Sequence, residues 1–174
     1  ADLAVARQAV GRAQIEGAIT GGASILNITT VGDWNESSGI EPSEGSPAGW
    51  GSLLSYWVAW WKLGSPPPIV REGVAVLHRK HPRTATPTDT RNTSLMAPRA
   101  GTSPRDDVEV CTWLTAPSQV TVTVGSTTTV VTAPAGFSTR NVSLAAGQVS
   151  AAVTRAGVPV VAVTSPHTVT LTPT

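Results

Sequence analysis

Gln119-Val120-Thr121-Val122-Thr123-Val124-Gly125-Ser126-Thr127-Thr128-Thr129-Val130-Val131-Thr132-Ala133 is the stretch from which the fold is read. From Val120 to Val124 valine alternates strictly with threonine. That is the side-chain period of a strand with one face buried and the other wet. A Gly-Ser turn follows, then a second Thr- and Val-rich run. The pattern predicts strands over 119–125 and 127–133 and no helix.

The same texture extends in both directions. Strands are predicted over 108–115, 138–143, 148–155, 158–164 and 167–172, separated by turns built from Ala-Pro, Pro-Ala-Gly, Ala-Gly and Ala-Gly-Val-Pro. Short strands at regular spacing, each closed by a turn signal, describe an antiparallel β-sandwich over 105–174. Val120, Val122, Val124, Val153, Val161 and Val163 supply its expected core. Cys111, the single cysteine, lies within Val108-Glu109-Val110-Cys111-Thr112-Trp113-Leu114 and reads as a small buried strand residue.

Before the sandwich comes a segment, 73–104, with a strand over Gly73-Val74-Ala75-Val76-Leu77-His78-Arg79 and a linker rich in Pro, Thr and Arg. Residues 1–72 differ in kind. Leu3, Val5, Ala6, Ala9, Val10, Ala13, Ile15 and Ala18 recur at three-to-four spacing and predict a helix over 2–20, ended by Gly21-Gly22. An apolar run over 23–30 reads as a buried parallel strand. It opens into an acidic loop over 31–49, and a second helix follows over 50–64, stopped by Gly64 and Pro66-Pro67-Pro68. Four of the six Trp residues fall in 50–61, an expected aromatic surface packed on a sheet. The fold class is therefore α+β: an αβα segment, a strand with linker, and a sandwich.

Composition limits the partners. The net charge is +1 and 13% of residues are charged, so no electrostatic case for nucleic acid exists. Mean hydropathy is +0.06, and no apolar stretch approaches the ~20 residues of a membrane span. His78, His81 and His167 lack the spacing of a metal site, and no Gly-rich phosphate loop occurs, so neither metal nor cofactor is expected. Asn-X-Ser/Thr triplets at Asn27, Asn35, Asn92 and Asn141 are what a Thr-rich chain yields by chance.

The loop carries a resemblance. Asp33-Trp34-Asn35-Glu36-Ser37-Ser38-Gly39-Ile40-Glu41-Pro42-Ser43 resembles the segment after the last barrel strand of glycoside hydrolase family 71, the α-1,3-glucanases, with a related stretch in the family 99 endomannosidases. Asp33, Trp34, Glu36, Ile40, Pro42 and Ser43 carry the match; where the family has Trp-Asn ahead of the Asp, this chain has Val31-Gly32. Ser55–Gly64 is similar to the family's final barrel helix, His78-Arg79 to the entry of its β-domain, and Thr164–Val169 to the ending of bacterial members. The resemblance implies the last αβα segment of a (β/α)₈-like barrel followed by the sandwich.

It further implies an α-glucan polysaccharide as partner, with Asp33, Trp34 and Glu36 as substrate-binding residues; Trp50, at the mouth end of its helix, is read as a further one that stacks on a sugar ring. The family's catalytic acids belong to earlier barrel strands, so the catalytic residues of this chain are unknown and activity alone is not expected. A (β/α)₈ barrel takes roughly 250 residues. Asp33 and Glu36, three apart, could approach the ~5 Å to ~9.5 Å that glycosidic acid pairs span. They could equally cap the loop and the helix start. Residues 1–64 are expected to need cover, from the remaining barrel chain or as a homo-oligomer, and some of the indoles of 57–61 are expected to stay exposed. Extracellular or surface/virion-associated localisation follows, with a non-enzymatic carbohydrate-binding or structural surface protein as the alternative.

Overall fold

The structure is a computed structural model and describes residues 13–27, 49–86, 88 and 105–172; for Gly49 and Trp50 the backbone alone is described. Among the described residues, seven strands form two antiparallel sheets. They are β1 (Gly73–Leu77), β2 (Asp107–Leu114), β3 (Ser118–Val124), β4 (Thr127–Ala133), β5 (Gly136–Ser143), β6 (Gly147–Arg155) and β7 (Val158–Val169). The first sheet runs β1-β2-β5 and the second β4-β3-β6-β7. Three strands stacked on four in this order make a Greek-key sandwich of the immunoglobulin type.

The valine alternation decides which side faces inward. Val120, Val122 and Val124 of β3 meet Val149, Ala151 and Val153 of β6 inside, against Val108, Val110 and Leu114 of β2. Every one of these is buried. Between them Thr121, Thr123, Ser150 and Ala152 look out.

Two strand boundaries depart from the sequence reading. The strands predicted over 158–164 and 167–172 are one strand, β7, which continues through Pro166. Pro166 falls in the register shift between Gln148↔Thr168 and Ser150↔Thr164, so the N–H that proline lacks costs no ladder bond. The strand over 73–79 is β1, and it pairs with β2 from Gly73↔Trp113 to Leu77↔Glu109. It is thus a full member of the sandwich.

A helical layer covers the outer face of the three-stranded sheet. Helix α1 occupies the described residues 13–20, and helix α2 spans Gly49–Leu63. The end of α1 is a Schellman motif: Gly22, at φ +75°, donates to the Ile19 carbonyl and Ala23 N–H reaches the Ala18 carbonyl. α2 ends in the simpler left-handed cap, with Gly64 donating to the Trp60 carbonyl and Lys62 in the last turn, favourable for the helix dipole.

Leu53 and Trp57 of α2 pack with Leu77, Cys111 and Trp113, and Ile15 and Ile19 of α1 join them. β2 is therefore apolar on both faces, as strands between two layers are. Cys111 is a buried thiol in this second core and forms no disulfide.

The strand predicted over 23–30 is corrected over its described part. Residues 23–27 belong to neither sheet, and Ile25 is 81% exposed. Apolar β-branched residues favour a strand, but a strand exists only with a neighbour to bond. Among the described residues none pairs with 23–27. The segment is held instead by Trp61, whose Nε1 donates to the Ala23 carbonyl at 2.8 Å. Of the indoles of 57–61, Trp57 is 1% exposed, while Trp60 and Trp61 keep part of their surface in solvent.

Candidate functional site

Asp33, Trp34 and Glu36 lie outside the described residues, and of Trp50 only its backbone position is described, at the first turn of α2. The structure describes what holds the flanks of their loop. Trp50 stands one turn before Leu53 and two turns before Trp57, the residues that root α2 in the second core. Trp57 Nε1 donates to Glu16 Oε1 at 3.2 Å, which fixes α2 to α1, and Trp61 fixes it to Ala23. Both chain segments that flank the acidic loop are thus clamped by indole N–H bonds from a single helix.

The aromatic residues near this helix form a connected group. Tyr56 and Phe137 rings lie 4.9 Å apart, Trp113 and Phe137 5.3 Å, and Tyr56 and Trp60 meet edge-on at 6.3 Å. These separations are those of favourable aromatic pairs. Burial, and next the nearby Glu16 carboxylate, raise the Tyr56 phenol above its ordinary value. The sequence reading of this block as a helix laid on a sheet is what Trp57 and Trp113 do.

The chain has eleven acids, and the five in described positions are all engaged in structure. Glu16 accepts from Trp57. Glu72, just before β1, accepts from Arg155 and from both the backbone N–H and the hydroxyl of Thr115. Hydrogen bonds from Arg155 and then Thr115 lower its pKa to about 2. Asp106 receives Arg79 Nη1 at 3.2 Å and the Arg83 N–H at 3.0 Å. Asp107 pairs with Arg105 at 3.0 Å, and Glu109 is buried in β2.

Arg155 is equally committed. Its Nε donates to Ser118 Oγ at 3.1 Å and its Nη2 to the Ala116 carbonyl at 3.1 Å as well as to Glu72. A shallow depression beside it is lined by Ser118, Gln119, Thr132, Thr154 and Gly157. The Glu72 carboxylate already pairs with the Arg155 guanidinium there.

At the other end of β1, His78 Nδ1 meets the Arg79 carbonyl at 2.9 Å and Nε2 meets Ser165 Oγ at 2.8 Å. A carbonyl only accepts, so Nδ1 carries the proton, and in the neutral ring Nε2 accepts from Ser165. Ser165 Oγ also receives the His167 N–H at 3.1 Å and is buried. A sealed hydroxyl cannot reach a substrate, so this Ser–His contact ties β1 to β7.

The two polar ties, Glu72–Arg155 and His78–Ser165, join residues 83 and 87 positions apart, which no local pattern could reveal. The one signal was a charge at a strand end beside glycine: Glu72 before Gly73, and Arg155 before Ala156-Gly157. Among the described residues, no group of three His, Cys, Asp or Glu could hold a metal, and no helix is long and apolar enough to cross a membrane.

What emerges is an α+β protein whose sandwich buttresses a helix and the flanks of an acid-rich loop. The family model of glycosyl hydrolase family 71 matches residues 24–173, so the match spans the acidic loop, α2 and the whole sandwich. The chain belongs to that family. No curated protein and no solved structure matches it. Membership ties the chain to glycoside hydrolysis or glycan binding, with a glucan polysaccharide as the substrate class.

Proposed function

We propose that this chain is the glycan-contacting and scaffolding part of an endo-α-1,3-glucanase of family 71, with Asp33, Trp34, Glu36 and Trp50 touching the polysaccharide. The observation that carries the reading is the family match over residues 24–173, which runs through Asp33, Trp34, Glu36 and Trp50. Chemistry on a sugar uses carboxyl groups, and the densest group of acids outside the described residues is Asp33, Glu36, Glu41 and Glu44 of the loop. An indole stacked on a pyranose, with a carboxylate accepting from ring hydroxyls, is the interaction these residue types provide.

Hydrolysis requires a second carboxyl across the scissile bond. In this reading that acid comes from barrel strands on other polypeptide, a remaining barrel chain, and the isolated chain binds without cutting. The protein acts outside the cell or on a surface, where such polysaccharides occur.

The test is pull-down of the purified chain on insoluble α-1,3-glucan, with reducing-sugar release measured in parallel. Binding that Trp34→Ala, Asp33→Asn or Glu36→Gln weakens at least tenfold, without sugar release, supports the proposal. Sugar release abolished by Asp33→Asn or Glu36→Gln would instead make the chain a complete enzyme. Absence of binding would remove the glycan from its function.

A further inference from the structure

We propose that β4 is a self-pairing edge, at which two copies of the chain join antiparallel about a twofold axis through Val130, making one eight-stranded sheet. This inference does not depend on the glycan reading above.

The sandwich has four strand edges, and three carry a device that blocks pairing. β7 has Pro159 and Pro166 and irregular register against β6. Just beyond its end, Thr170 N–H bonds the Lys80 carbonyl and Thr86 N–H the Leu171 carbonyl. β5 carries Arg140, which shares the inward face with its partner Val110 and emerges at the rim. β1 is five residues long and is tied at both ends to the opposite sheet. β4 has none of these. Thr127-Thr128-Thr129-Val130-Val131-Thr132-Ala133 contains no charge, no proline, no glycine and no bulge, and Val130 is 59% exposed. Long, neutral, β-branched edges of this kind are templates for another strand.

The register says which groups are open. β3 and β4 are joined by Gly125-Ser126, with Val124↔Thr127 closing the turn. A two-residue hairpin makes that closing pair hydrogen-bonded, and the bonding then alternates along the ladder. Val122↔Thr129 and Val120↔Val131 are bonded pairs by this count. Gly125 agrees, since its N–H points the other way, to the Gln148 carbonyl. Thr128, Val130 and Thr132 therefore direct both N–H and C=O away from β3, and no strand among the described residues lies beyond them.

These three residues select the partner. A twofold contact requires that residue i meet j and j meet i. The outward set reads Thr-Val-Thr, the same in both directions. Centred on Val130, it sets Val130 opposite Val130 of the second copy and Thr128 opposite Thr132 of the second copy, two main-chain bonds per pair. No side chain on this edge repels its copy, and a net charge of +1 does not hold the molecules apart. The outer face continues neutral across the sheet, through Val130↔Thr121, Thr121↔Ala152 and Ala152↔Ala162. A joint one strand wide lies below the ~1,200 Å² of standard interfaces, so the dimer is weak and concentration-dependent.

Sedimentation equilibrium on the full chain, from about 1 μM to about 1 mM, tests it. The expected result is a monomer–dimer equilibrium. Val130→Lys, which sets two ammonium groups face to face on an exposed position, raises the dissociation constant at least tenfold with an unchanged melting temperature. Asn141→Lys, on the β5 edge, changes it less than twofold. Val130→Cys gives a disulfide-linked dimer on mild oxidation, since paired Cα atoms lie about 5.5 Å apart. A monomer throughout the range, or a dimer indifferent to Val130→Lys, overturns the proposal. Equal weakening by Asn141→Lys also overturns it.

Discussion

The turn before β6 meets the β3–β4 hairpin so closely that a single methyl group should unfasten it. Gly147 has φ +124° and Gly125 φ +59°. A Cβ on Gly147 would lie 2.4 Å from the Gly125 Cα and 3.2 Å from its nitrogen. Carbon atoms rest about 3.5–4.0 Å apart, so the two backbones must separate by roughly 1 Å. Neither atom belongs to a side chain that could swing away. The separation pulls on the Gly125 N–H bond to the Gln148 carbonyl, 2.9 Å long.

Three costs then add for Gly147→Ala. Overpacking a filled site costs about 1–3 kcal/mol. A non-glycine residue in a sparsely populated positive-φ region costs about 1–3 kcal/mol. Loosening one hydrogen bond costs about 0.5–1.5 kcal/mol. Partial relaxation makes about 3–4 kcal/mol a fair total, and at ~2–4 °C per kcal/mol the melting temperature should fall by roughly 10 °C. The comparison that isolates sterics is Gly136→Ala. Gly136 has φ +89° but open space where a Cβ would go, so it carries the conformational cost alone. Urea unfolding of both variants, read by tryptophan fluorescence, gives the difference. If Gly147→Ala is less than 1 kcal/mol worse than Gly136→Ala, the contact is not the tight one described and the reasoning fails.

Two other perturbations have definite signs. Glu72 is held at a pKa of about 2, below the ~4.3 of an unfolded glutamate. The unfolded chain therefore takes up the proton first, and the stability Glu72 contributes is full above pH ~4.3 and lost as pH falls toward 2. The melting temperature should fall more steeply over that window in the native chain than in Glu72→Gln, and parallel curves would show that the tie does not matter. Ala156 has φ +50°, the only described non-glycine residue there, and with Gly157 it forms the β6–β7 turn that favours Asn-Gly. Ala156→Asn should stabilise by about 0.5–1 kcal/mol in urea unfolding, and a loss of stability would contradict the turn assignment.

The alternation of valine made the strands of the sandwich legible, because burial of one face imposes a period of two on each strand. What alternation hides is a strand buried on both faces. In β2, Val108, Val110 and Leu114 point into the sandwich, while Cys111 and Trp113 point to α2. Glu109 and Thr112 give the run the look of ordinary alternation, and Cys111 with Trp113 in the odd register was the available sign of a second core. The helix caps were legible for the opposite reason: Gly22 and Gly64 act through their own backbone, with no distant partner needed. Over its described part, 23–27, the strand expected at 23–30 fails on the same distinction, since pairing is not a property of one segment. The candidate sugar contacts came from a likeness in Asp33, Trp34 and Glu36, which lie outside the described residues.

How such a loop could be served by this framework follows from its anchors. Acids that act on a sugar must be held within ~0.5 Å of their working positions. A loop achieves that only if its two flanks cannot move independently. Here they are secured from one helix, by Trp61 on Ala23 and by Leu53 and Trp57 in the second core. That core in turn rests on β2, whose other face is the sandwich interior, and β1 beside it is tied across to β6 and β7 by Glu72–Arg155 and His78–Ser165. Movement at the helix would have to deform both sheets. The sandwich is on this account the foundation of the loop, and under the proposed function a cavity made at Trp57 should weaken binding to α-1,3-glucan as well as lower stability.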